Sequence, residues 1–157
     1  MKSEHSPNSE SNGCVIVVDD HDDLRQMLCL ALETAGFDVI EADTQLELQR
    51  RLAHCQPDAV VLDLQRSEAD GLALLTRMRA RQNLSMVPIV FLSGSDAEDF
   101  RYDAMCAGAD WFGVRPLGML ELQNRVGELI RNGRPDATHS QIGPRRPPHI
   151  LRLQPTG

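Results

Sequence analysis

The chain has 157 residues, enough for one domain and short for two, and at 41% apolar residues it can bury a core. Its net charge of −7 is uneven: residues 1–13 sum to −1 and residues 133–157 to +3, which leaves −9 on the stretch between them. An acidic body argues against a broad nucleic-acid surface, and the small basic tail does not reverse that, so no direct nucleic-acid contact is expected.

Residues 1–13, rich in Ser, Glu and Asn, read as a flexible leader. The apolar run from Cys14 to Val18 predicts a first strand over about 14–19, ending in Asp19-Asp20. Asp20-His21-Asp22-Asp23 is a loop in which an Asp can cap a helix from about Asp23 to Ala35. Leu24, Met27, Leu28, Ala31 and Ala35 recur at helical spacing and are expected to face a sheet, and Gly36 suits the helix end. A shorter strand follows over Phe37–Ala42. Thr44 can cap a second helix to about His54, with Leu46, Leu48 and Leu52 inward. After Pro57, Asp58–Asp63 reads as a strand apolar on both faces. A polar loop reaches Asp70-Gly71, and a helix spans about Leu72 to Gln82, with Leu72, Leu75, Met78 and Arg79 on one face. Pro88–Ser93 is the fourth strand, Asp96 to about residue 107 a helix closed by Gly108, and Asp110–Val114 the fifth strand. Arg115-Pro116 turns the chain into a last helix, Met119–Arg131, striped by Met119, Leu122, Val126 and Leu129.

Five strand–helix alternations over residues 14–132 imply an α/β fold with a doubly wound parallel sheet and right-handed crossovers. Residues 133–157 hold five of the nine prolines and no apolar period, and read as a disordered basic tail, although Ile150-Leu151-Arg152-Leu153 could dock. The N-terminus lacks an apolar signal core, and no apolar run approaches the roughly 20 residues of a membrane span, so a soluble cytoplasmic protein with no membrane partner is expected. Cys14, Cys29, Cys55 and Cys106 show no paired spacing and read as buried reduced thiols. The histidines show no metal-like spacing, and His21 reads as a solvent-facing loop residue.

In a parallel sheet the reactive edge lies beyond the carboxyl ends of the strands. If the first and third strands are neighbours, Asp19, Asp20 and Asp63 converge there. Like charges that close either raise a pKa or recruit a cation, and for oxygen-only ligands the natural cation is Mg²⁺.

The set Asp19-Asp20, Asp63, Ser93 and Arg115-Pro116, each at a strand end, with Asp70-Gly71 and Gly108-Ala109-Asp110 in loops, resembles the bacterial response-regulator receiver domain. The resemblance covers about residues 13–132. It implies a flavodoxin-like five-stranded sheet of order 2-1-3-4-5 and a two-component phosphorelay role. By the same resemblance a sensor histidine kinase or phosphotransfer protein phosphorylates Asp63. Mg²⁺ is then held by Asp20, Asp63 and the Gln65 backbone carbonyl, with Asp19 acting through water. Ser93 corresponds to the switch hydroxyl and Phe112 to the switch aromatic. Trp111, with Phe100 and Tyr102, is expected to form a partner surface for an output protein, and dimerisation through that face is open. The 25-residue tail has no room for an output domain, which suggests a single-domain regulator. No enzymatic turnover is expected beyond self-phosphorylation and autodephosphorylation: an aspartate phosphatase needs a second carboxylate where Gln65 stands.

Two departures bear on function. Arg115 replaces the family's usual Lys, and a planar guanidinium is not interchangeable with an ammonium. It can bind phosphate through its fork, or swing out, or pair permanently with Asp63. Arg66 and Ser67 replace a common Met-Pro pair, which places a positive charge near the acids and loosens the loop. Retained phosphorylation is the reading adopted; the alternative is a phosphorylation-independent adaptor with a fixed surface.

Overall fold

The computed structural model describes residues 10–64, 68–94 and 98–135. The elements alternate as β1 (Cys14–Asp19), α1 (Asp22–Thr34), β2 (Asp38–Ala42), α2 (Gln45–Leu52), β3 (Ala59–Asp63), α3 (Glu68–Ala80), a 3₁₀ turn (Gln82–Leu84), β4 (Ile89–Ser93), α4 (Glu98–Ala107), β5 (Trp111–Val114) and α5 (Met119–Asn132). The strands are all parallel, as the alternation implied, in the order β2-β1-β3-β4-β5 that the resemblance implied.

Side-chain alternation along each strand divides the core into two layers. Val15 and Val17 of β1, Ala59 and Val61 of β3, and Val90 and Leu92 of β4 pack against Leu28 and Leu32 of α1 and Leu122 and Val126 of α5. Their neighbours Ile16, Val18, Val60, Leu62, Ile89 and Phe91 pack against Leu48 and Leu52 of α2, Leu74, Leu75 and Met78 of α3, and Phe100 and Ala104 of α4. All five residues of β3 are buried, which is why its sequence is apolar on both faces. Removing Val60, Val61 and Leu62 from water contributes about 1.5–3 kcal/mol each.

Several boundaries differ from the sequence expectation, each for a physical reason. The helix expected from Leu72 is already formed at Asp70 and Gly71, because Gly71 is not a turn residue. A Cβ there would lie 3.0 Å from the Phe91 ring, so glycine lets α3 approach β4 closely. The second helix ends at Leu52 rather than near His54, while Thr44 caps it as expected, accepting from the Glu47 N–H at 3.1 Å. Leu46 and Met27, expected inward, are 57% and 51% exposed. Asp58 precedes β3 instead of belonging to it.

Of the expected leader, residues 1–9 lie outside the described residues. Asn12 is tied down: its N–H donates to the Gly36 carbonyl at 3.0 Å and its side-chain amide to the Ala35 carbonyl at 2.7 Å. It thereby satisfies carbonyls left open at the end of α1, with Gly36 at φ 91° making the turn. At the other end, residues 136–157, including the Ile150–Leu153 cluster, lie outside the described residues. Arg134, placed in the expected tail, is anchored on Asp110 at 2.9 Å and on the Ser85 carbonyl at 2.8 Å.

Arg79 explains why an arginine belongs on the inner face of α3. It donates to the carbonyls of Gly108, Leu84 and Val87 and to Asp110 Oδ2 at 2.6 Å, while Asp110 also accepts from the Ile89 N–H at 2.8 Å. The charge is buried with its donors paired, which is the condition under which burial is tolerated.

Candidate functional site

The register of β1 against β3 sets Asp19 directly beside Asp63 at the carboxyl edge of the sheet. By alternation both belong to the face covered by α1 and α5. Both are fully buried, whereas Asp20, one residue on, is half-buried and lines a cleft with Asp22, Asp43 and Leu64. Ser93, 4% exposed, ends the neighbouring strand β4. Arg115 follows β5 across a cis peptide to Pro116, and its backbone N–H donates to the Ser93 carbonyl at 2.8 Å. Its side chain lies over Gly94, where a Cβ would come within 3.2 Å of Nη2. That glycine leaves the room the larger arginine needs.

Arg115 Nε lies 3.3 Å from Asp63 Oδ2. The contact is an ion pair whose N–H is not aimed at the oxygen, so among the described residues neither atom has a hydrogen-bond partner. Asp63 Oδ1 and Asp19 Oδ2 are likewise buried without one, while Asp19 Oδ1 accepts from the His21 N–H at 2.8 Å. Burial raises Asp63 to about 7, against an ordinary 3.8; the Asp19 charge adds to this and Arg115 opposes it. Burial likewise raises Asp19 to about 6, opposed by the His21 N–H and reinforced by Asp20. An apolar-walled cleft of about 390 Å³, lined by Leu24, Met27, Leu117 and Met119, reaches down to Asp63 and Arg115.

Three unsatisfied carboxylate oxygens at one buried point call for a hard cation. No three His, Cys, Asp or Glu side chains among the described residues form a closed metal-binding group. Mg²⁺ does not require one, because it keeps several waters and takes only one or two carboxylates. Asp19 and Asp63 therefore fit such an ion, with Asp20 at the rim. The expectation for the Gln65 carbonyl, and those for Arg66 and Ser67, fall outside the described residues.

The expected aromatic partner surface needs correction. Phe112 is buried, stacked on Phe91 at 6.0 Å between ring centroids and edge-on to Phe100 at 5.8 Å, with Arg101 over its ring. Phe100 is only 8% exposed and belongs to the same core layer, while half-buried Trp111 packs on the opposite face, under Arg125. Adjacent strand residues point to opposite sides, so Phe100 and Trp111 cannot share one patch with half-buried Tyr102. His21, read as a plain loop residue, is the α1 N-cap, its Nδ1 accepting from the Leu24 N–H at 3.3 Å. The signal was its place just before Asp22-Asp23, but histidine is not a favoured cap and the aspartates drew the assignment.

A five-stranded parallel sheet of this order, with acids from its two central strands buried at one edge, has the architecture of a receiver domain. The chain belongs to that family: the model of the response regulator receiver domain matches residues 15–127, and the chain has a place in two-component phosphorelay signalling. It is 37% identical over 134 residues to the transcriptional regulatory protein PrrA of Mycobacterium leprae (strain TN), covering 83% of this chain and 57% of that protein. The chain thus spans about half the length of the curated relatives it matches. A crystal structure of a response regulator from Thermotoga maritima superposes with a TM-score of 0.68 at 27% identity, covering 75% of this chain and 97% of the other. The receiver domain of the sensor histidine kinase PA1611 from Pseudomonas aeruginosa PAO1, solved with magnesium coordinated in its active-site cleft, shares the fold at a TM-score of 0.67 and 22% identity, covering 76% and 98%. No helix among the described residues is long and apolar enough to cross a membrane.

Proposed function

We propose that Asp63 accepts a phosphoryl group from a sensor histidine kinase or phosphotransfer protein, and that esterification alters the surface around α4 and β5 for an output partner. The observation that carries this reading is the buried Asp19–Asp63 pair with unpartnered oxygens at the end of the cleft. A deprotonated Asp63 oxygen attacks phosphorus, the bond to the donor imidazole nitrogen breaks, and the imidazole leaves with that electron pair. Asp19 and Asp63, with Asp20 at the rim, would hold a divalent ion such as Mg²⁺, which would supply the neutralisation that lets an anionic nucleophile meet an anionic donor. Arg115 adds a fixed positive charge beside Asp63, and the Ser93 hydroxyl can donate to a phosphoryl oxygen. Catalysis is positioning, confined to the chain's own aspartate, with no turnover of other substrates.

The Arg115–Asp63 ion pair favours a second reading, in which the arginine permanently occupies the place of the phosphoryl group and the fold serves as an adaptor. Incubation with acetyl phosphate and Mg²⁺, followed by phosphate-affinity electrophoresis, separates the two. The first expects a shifted band in the wild type that is absent from Asp63→Asn. No modification of the wild type supports the second, and Arg115→Lys should then restore labelling.

A further inference from the structure

The acidic edge leaves the opposite edge of the sheet unexplained, and two cysteines meet there. Cys14 opens β1, and Cys55 lies in the connection from α2 to β3, 41 positions on. Their sulfurs are 3.5 Å apart, and both side chains are half-buried, within reach of a small reagent. Their surroundings are held by other bonds: the Cys14 N–H donates to Asp58 Oδ2 at 2.8 Å, and the Asp58 N–H donates to the Cys14 carbonyl at 2.8 Å. The remaining thiols differ: Cys29 is buried on the inner face of α1, and Cys106 is exposed. Spacing along the chain gives no hint of the pair, because β1 and β3 become neighbours only in the folded sheet.

We propose that Cys14 and Cys55 are a redox-active dithiol that a low-molecular-weight disulfide converts to an intramolecular disulfide. Burial, the sulfur–sulfur hydrogen bond to Cys55 and the nearby acids Asp58 and Asp38 hold the Cys14 thiol protonated to higher pH than an ordinary thiol. The Cys55 thiolate attacks one sulfur of the reagent and expels the other as a thiolate. Cys14 then loses its proton to solvent and attacks Cys55 sulfur, and the second reagent thiolate leaves. The protein loses two electrons and two protons, and the reagent disulfide gains two electrons and becomes two thiols. The sulfurs must close from 3.5 Å to a bond of about 2.05 Å, a side-chain adjustment between cysteines that already face each other. Metal capture is the weaker use of these thiols, since among the described residues no third ligating side chain completes a group. The bond would enclose β1, α1, β2 and α2 in one loop, stapling at its amino-terminal edge the half-sheet that carries Asp19 and Asp20.

The full chain is equilibrated across ratios of reduced to oxidised glutathione, quenched with N-ethylmaleimide, and read by intact mass and non-reducing peptide mapping. The expected product is lighter by two hydrogen atoms before alkylation, has two of its four thiols protected, and joins the Cys14 and Cys55 peptides. Its thermal midpoint should rise by roughly 5–10 °C without reductant, a rise that Cys55→Ser abolishes. Glutathione left on Cys55 with Cys14 still alkylated, a cross-link through Cys29 or Cys106 instead, or no oxidation at any ratio would each overturn the proposal. The peptide map needs no variant, so a misfolded substitution cannot obscure the result.

Discussion

The buried carboxylate pair should make the fold less stable as pH rises, and Asp63→Asn should remove most of that penalty. Asp63 titrates near 7 in the native state and near 3.8 when unfolded, so between those values the native state holds the extra proton. Stability from this group is therefore undiminished below about 4, falls as pH rises through the window, and is lowest above 7. The full penalty is about 4 kcal/mol, of which about 1.7 is already present at pH 5, leaving roughly 2–3 kcal/mol to appear between pH 5 and pH 8. The amide of Asn meets the same unsatisfied surroundings at every pH, so its own cost of about 1–3 kcal/mol cancels when the two pH values are compared. Urea unfolding with chelator, followed through the single tryptophan Trp111, gives the needed difference. The stability of Asp63→Asn relative to wild type should improve by roughly 2–3 kcal/mol from pH 5 to pH 8. A relative stability that stays constant, or that moves against Asp63→Asn as pH rises, would refute the claim that desolvation governs Asp63.

Mg²⁺ at 100 times its dissociation constant should stabilise the wild type by about 2.7 kcal/mol at pH 8, and chelation should reverse it; Asp63→Asn should show little of the effect in the same urea titration. Arg115→Ala removes the positive charge that, among the described residues, opposes the rise of Asp63, so wild type minus variant should widen by about 1 kcal/mol between pH 5 and pH 8, again in urea. Asp110→Ala leaves Arg79 buried without its counter-charge and should cost about 3–5 kcal/mol by denaturant midpoint, whereas truncating exposed Glu128 should change it by less than about 0.5.

The apolar strands, the helical stripes of Leu28, Leu48 and Leu122, and the capping Thr44 are local patterns, and local patterns survive without knowledge of the neighbours. That is why element order and a parallel sheet were legible, and why acids at strand ends pointed to one reactive edge, whereas the strand order came only from the family resemblance. What depends on which surfaces meet was not legible. Gly71 looked like a turn because the Phe91 ring it admits lies on another strand. Phe100 and Trp111 looked like one patch because a linear string does not display the two sides of a sheet. The approach of Cys14 to Cys55, and the choice of the Asp63 ion pair among the outcomes offered for Arg115, are likewise decided by register, which is set by the whole core packing at once. Composition and period thus determined the elements and their order, because those depend on residues close in sequence. Only the folded sheet decided which charges are buried together and which thiols face each other, because those contacts join segments tens of residues apart.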